Sequence, residues 1–322
     1  MMKLGVLTVP LQAMPTEEAF AYLHSLGVQT VELGTGGYTN ANHCDPDVLL
    51  ADESKIDELK GLLAKYDLSI SVLSCHGNPI HPDKAVAAGY HRVFVNTCKL
   101  AQKLGVDTLV TFSGCPGDSP DAHYPNWVTC AWPDDYAKIL DYQWNDVLIP
   151  YWKEAAAIAQ SYGVDKIAFE MHPGFCVYNP ATCLRLREAV GPILGANFDP
   201  SHLIWQGIDP VEALKALEGA VYHFHAKDTR VDPRNKAING VLDTQNLGMV
   251  GRRSWVFRTV GYGSDLQLWK DMMSTLQLIG YDGSVSIEHE DALMSVKQGL
   301  EKAIAFLKDV MITDKPATAW WT

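Results

Sequence analysis

Two histidines one residue apart, His223 and His225, lie in the run His-Phe-His-Ala-Lys-Asp (223–228), directly after the apolar Ala220-Val221-Tyr222. Alternation along a strand turns both imidazoles to one side. Three other apolar runs finish on a carboxylate: Ile167-Ala168-Phe169-Glu170, Gly195-Ala196-Asn197-Phe198-Asp199 and Val285-Ser286-Ile287-Glu288. One such end alone reads as a carboxylate salt-bridged at a sheet edge. Four together read differently, because buried like charges repel unless a cation lies between them. Glu170, Asp199, His225 and Glu288 are therefore candidate ligands for one divalent metal ion. Three carboxylates and one imidazole make a mainly oxygen donor set. That favours Mn²⁺, with Mg²⁺, Co²⁺, Fe²⁺ and Zn²⁺ also compatible. An ion with open positions there would polarise a carbonyl and acidify the adjacent C–H.

Something must bring these four ends together. Strand-like and helix-like segments alternate along the whole chain. Strands are expected at 3–9, 28–33, 68–73 and 108–112, then ending at Glu170, Asp199, His225 and Glu288. Helices are expected near 16–27, 54–66, 82–104, 133–162 and 292–310. The last carries Val296, Leu300, Ala303, Ile304 and Leu307 at helical spacing. Eight β-α units predict an α/β fold, a closed (β/α)8 TIM barrel forming a single domain over residues 1–322. Such barrels carry their active sites at the carboxyl ends of the strands. An open doubly wound sheet fits less well, since no Gly-x-Gly-x-x-Gly turn follows the first strand. Two connections exceed ordinary length, 117–132 and 229–263. Both are expected to form lids or walls of a substrate pocket or a subunit contact. A tail at 311–322 carries Trp320 and Trp321, which a homo-oligomeric partner or the barrel flank would cover.

With 322 residues, 47% of them hydrophobic, the chain can build a sizeable core. A formal charge of -12 argues against nucleic-acid and anionic-membrane partners. No apolar run approaches the roughly 20 residues of a membrane span. Seven cysteines without paired spacing, and no signal-peptide layout at the first residues, lead to the expectation of a cytoplasmic, reduced protein.

The order Glu, then Asp-Pro-Ser-His, then His-Phe-His, then Glu resembles the xylose isomerase-like TIM-barrel superfamily. The resemblance rests on Phe169-Glu170-Met171-His172-Pro173, Asn197-Phe198-Asp199-Pro200-Ser201-His202, His223 through Asp228, and Ser286-Ile287-Glu288-His289-Glu290-Asp291. It implies that Glu170, Asp199, His225 and Glu288 bind the metal, and that Glu170 and Glu288 also act as catalytic acid and base. The implied activity is isomerisation or epimerisation of a sugar, sugar phosphate or keto-sugar, by proton transfer through an enediolate held at the metal. A lyase of the same group, an inosose-type dehydratase or a 3-keto-glycoside cleaving enzyme, is the alternative; a non-catalytic sugar-binding barrel is the third reading. The resemblance further implies substrate contacts for His202 and Arg230. It also has departures. Cys176 stands where ketose 3-epimerases carry a second glutamate, and Arg230 falls one residue before their arginine. The extra zinc histidines of endonuclease IV are missing after the fourth and seventh strands, which speaks against DNA as substrate.

His76 and His172 follow strand ends and are candidates for substrate contact or proton shuttling near neutral pH, or else are polar loop residues. Lys227 and Asp228 alternate, so only one is expected on the metal side; Asp228 is a candidate to orient a ligand. Trp205 offers an indole face to a sugar, against ordinary burial. Glu32 and the glycines after it are candidate lining of the barrel mouth.

Overall fold

The short apolar runs pair side by side into eight parallel strands. They are β1 (Lys3–Leu7), β2 (Thr30–Gly34), β3 (Ser69–Ser74), β4 (Thr108–Thr111), β5 (Lys166–Glu170), β6 (Leu194–Phe198), β7 (Val221–Ala226) and, after a hairpin β8 (Asp228–Val231) and β9 (Trp255–Arg258), β10 (Ser284–Ile287). The computed structural model describes residues 1–315 and 321. Strands β1 to β7 follow one another around the barrel, and β10 closes it between β7 and β1. The closing register sets Lys3 beside Ser284 and Val6 beside Ile287. This is the expected single-domain (β/α)8 TIM barrel.

Most apolar side chains lie between the strands and the outer helices, where Phe20, Leu33, Trp152, Phe169, Phe198, Phe224 and Trp269 are buried. Alternation gives the other face of each strand to the barrel interior. A small apolar layer of Val72, Val110 and Ala168 lies inside. One pleat further toward the carboxyl ends come Ser74 and Glu170, so the interior turns polar where the strands finish.

The sequence also writes the helix starts. Asp83, Asn179, Asp199, Asp209 and Asp265 each cap a helix by accepting backbone N–H groups. The last helix, expected from 292, begins at Val296, the first residue of its apolar spacing, because Ser295 caps it there. The expected long helix after β4 is three segments: α-helical Asp134–Asp141, π-helical Tyr142–Leu148 and α-helical Ile149–Ser161. In the π segment the buried Gln143 amide donates to the carbonyls of Pro116, Gly117 and Asn126, tying down the 117–132 connection.

The 229–263 connection is not a simple loop. Strands β8 and β9 pair antiparallel, with Asp228 opposite Arg258 and Val231 opposite Trp255. Helix Pro233–Asn239 lies between them. No helix among the described residues is long and apolar enough to cross a membrane. All seven cysteines are free thiols. Trp320 lies outside the described residues, and Trp321 is exposed.

Candidate metal centre

Each of the four sequence-picked ligands enters the barrel mouth for a local reason. Glu170 is the last residue of β5. Asp199 follows β6 and caps helix Pro200–Gln206: its Oδ1 accepts from Ser201 N at 2.8 Å. That leaves Oδ2 facing the mouth. His225 lies in β7, and Glu288 follows β10 directly. One ligand atom from each of Glu170, Asp199, His225 and Glu288 falls within 4.8 Å of all the others. His225 Nδ1 is 3.0 Å from Glu288 Oε2 and 3.4 Å from Glu170 Oε2.

The chemistry of the donors fits a cation. His225 Nδ1 and Asp199 Oδ2 are buried and make no well-formed hydrogen bond among the described residues, although the Lys227 ammonium lies 3.1 Å from Asp199 Oδ2. Buried polar atoms are rarely left so, and two that converge on one point suit a shared metal.

Glu32 explains how His225 is held. It is fully buried on β2 and accepts from His225 Nε2 at 2.9 Å, from His223 Nε2 at 2.8 Å and from Ser286 Oγ at 2.7 Å. Ser74 Oγ also donates to it. Burial pushes the Glu32 carboxyl up, but the two imidazoles outweigh it and hold it well below the usual carboxylate range. With Nε2 donating to Glu32, the Nδ1 lone pair of a neutral His225 faces the cluster. The sequence placed Glu32 only as mouth lining. A lone carboxylate in the middle of Thr-Val-Glu-Leu-Gly was the available signal, since a buried charge needs partners.

Around the other carboxylates lie most of the secondary candidates. His76 Nε2 donates to Glu170 Oε2 at 2.8 Å, and His202 Nε2 to Glu170 Oε1 at 3.0 Å. Burial pushes Glu170 up, but the hydrogen bonds from His202 and His76 help outweigh it and hold the carboxyl well below its usual range. Burial presses His202 down to about 3, so this ring is neutral. Gly37 makes the placement of His76 possible: a side chain there would collide with the His76 carbonyl, and its φ is +81°. Lys227, almost fully buried, sets its Nζ 2.9 Å from Glu288, 3.1 Å from Asp199 and 3.3 Å from Glu290. Burial works against Glu288 ionising, yet the Lys227 charge brings it down to about 2.

Two of the candidates stand outside the cluster. Asp228 is turned away from the cluster. Its carboxylate accepts from the backbone N–H of Thr229, Gly261, Gly263 and Ser264 and from the Trp269 indole. It ties the end of β7 to the chain that follows the hairpin. Arg230 is exposed, and its guanidinium donates to the Gly263 carbonyl at 3.3 Å. Alternation after the buried Thr229 turns it outward. His172 and Trp205 sit beside the cluster, not in it. The His172 ring lies 4.0 Å from that of His202, and Trp205 stacks flat on Trp255 at 4.5 Å. Both line a cavity of about 460 Å³. Trp127 from the 117–132 connection and Trp255 and Phe257 from β9 complete its aromatic wall, so both long connections are walls of this pocket. Arg258, another cation of the insert, is bound to Asp291 at 3.1 Å. Cys176 is buried, and its backbone N–H donates to Gly114.

A closed parallel barrel with carboxylates and a histidine at four strand ends defines a class of proteins. Residues 20–310 match the family model described as xylose isomerase-like TIM barrel, and the chain belongs to that family. The Bacillus subtilis (strain 168) protein YfiH is 40% identical over 312 residues, 96% of this chain and 99% of YfiH. A crystal structure of D-psicose 3-epimerase with D-tagatose from Clostridium cellulolyticum H10 superposes with a TM-score of 0.62 at 16% identity, covering 96% of this chain and 98% of that one. A structure of the IolI protein with a zinc atom superposes with a TM-score of 0.63 at 19% identity, covering the same shares. At these identities the two structures share the fold with this chain.

Proposed function

We propose that this chain is a divalent-metal-dependent isomerase or epimerase of a small carbohydrate, sugar phosphate or keto-sugar, working by proton transfer through an enediolate. The observation that carries the reading is the placement of Glu170 and Glu288. They come from β5 and the end of β10 and meet the same His225 nitrogen. Glu170, Asp199, His225 and Glu288 would hold the ion, with Mn²⁺ the first choice from the oxygen-rich donor set. When bound, it supplies Lewis-acid polarisation of the substrate carbonyl.

The chain's own residues do the rest. His76 and His202 fix the Glu170 carboxylate by its two oxygens, and Lys227 fixes Glu288. One glutamate takes the proton from the substrate carbon and the other returns one, which inverts that carbon if the two act from opposite faces. Carboxylates held so low are weak bases, so the polarised C–H must be correspondingly acidic.

The test is turnover of a panel of ketoses, inososes and 3-keto-glycosides in D2O. Deuterium is expected on the reacting carbon of product and of recovered substrate. Glu288→Gln should slow that exchange by about a hundredfold or more. Loss of water or of an aglycone would instead assign a lyase. Repeated turnover with no deuterium uptake would remove the two-glutamate assignment.

A further inference from the structure

The cavity beside the cluster is built unlike the cluster itself. Its wall carries Trp127, Trp205, Trp255, Phe257, Leu242 and Leu247. A ring lodged there finds few partners for hydroxyls and is favoured when it turns an apolar face to the wall. Of the polar groups that line the cavity, the buried Trp127 Nε1, Trp205 Nε1 and His202 Nδ1 have no partner among the described residues, while others are committed. Asp243 accepts from Ser254 N at 2.7 Å and Gln245 N at 2.9 Å, and His172 Nδ1 is 2.6 Å from the Pro173 carbonyl.

The aromatic wall is also rigid. Trp205 and Trp255 stack within 5° of parallel. The Trp255 indole donates to the Val241 carbonyl at 3.0 Å, and the Arg253 guanidinium lies 4.6 Å from its ring. A wall already fixed in place loses little entropy when a ligand settles on it. At the mouth, Leu242 and Leu247 are 63% and 59% exposed. A ring seated between them would remove that apolar surface from water.

Cavity and cluster adjoin, with His202 and Phe257 between them. His202 lines the cavity and donates to Glu170. Phe257 lines it too, and its ring lies 4.8 Å from Lys227 Nζ, which contacts Asp199 and Glu288. A single ligand can therefore reach both.

We propose that this site takes a two-ring substrate: a polyhydroxylated ring at the carboxylate cluster, O-linked to a second, flat ring in the aromatic cavity. The inference rests on the carbohydrate reading above for its first ring. The second ring is an aryl aglycone or a sugar presenting its C–H face, since both pack flat against indoles.

The experiment is isothermal titration of the Mn²⁺-loaded full chain with methyl β-D-glucopyranoside, phenyl β-D-glucopyranoside and cellobiose. At least one two-ring probe should bind about tenfold more tightly than the methyl glycoside. A gain for the phenyl glycoside alone assigns an aryl aglycone, and a gain for cellobiose alone assigns a second sugar. Trp127→Ala should shrink the gap to about threefold or less. Leu242→Asp, at an exposed position that the barrel does not need for folding, should do the same. The inference is overturned if no two-ring probe outbinds the methyl glycoside, or if the gap survives both substitutions. Two-ring preference without deuterium exchange on any substrate would keep the subsite and sink the proposed chemistry. Exchange without the preference would do the reverse.

Discussion

His225 is a residue with two tasks on two nitrogens. Nε2 donates to Glu32, and Nδ1 points into the cluster. Glu32→Gln would leave an amide that can offer a donor where the imidazole needs an acceptor. Affinity for Mn²⁺ should fall about 10- to 100-fold in a competitive chelator titration, with the far-UV circular dichroism unchanged. Unaltered affinity would reduce Glu32 to a packing residue. The convergence of the four strand-end candidates was legible because each breaks an apolar run at its end. Glu32 was not, because its partners His223, Ser74 and Ser286 come from three other strands that only barrel closure brings near. Arg230 and Asp228 stand outside the cluster for a related reason. β8 starts at Asp228, and its pairing with β9 leaves Arg230 exposed and Asp228 on the backbone that follows the hairpin.

The hairpin β8–β9 hangs from Asp228. Four backbone donors and one indole converge on a single carboxylate with no exposed surface. Gly263 permits this, because any side chain there would meet the Thr229 backbone and Asp228 itself. Asp228→Ala would orphan these donors and should cost about 3 kcal/mol or more in urea denaturation. Metal content of the folded fraction should persist, which separates this role from that of a ligand; a loss under about 1 kcal/mol would contradict it. At this scale the strands and helices of the barrel followed from apolar periodicity and capping residues. The hairpin did not, because its strands are joined through residues 232–254 with no two-residue turn to announce the pairing. The π segment escaped as well, since Leu140, Trp144 and Leu148 keep a helix-like apolar spacing through it.

The whole molecule should feel the metal. An ion that binds only the folded barrel stabilises it by mass action, by about 2.7 kcal/mol at a hundredfold excess over its Kd. Mn²⁺ should therefore raise the Tm of the native chain, and Asp199→Asn or His225→Ala should abolish that rise while elemental analysis shows most of the metal gone. A rise of equal size in both variants would place the ion elsewhere. The ligands come from β5, the β6 end, β7 and the β10 end, and β10 is also the strand that closes the barrel against β1. That has a consequence for a chain emerging from a ribosome. Strands β1 to β7 can line up in order as they appear, but the seam between residues 3–6 and 284–287 has to wait for the last of them. Glu288 arrives with that seam. A nascent chain thus carries three of the four candidate ligands on an open sheet and gains the fourth as the sheet closes, so on the proposed reading tight ion capture marks closure of the barrel.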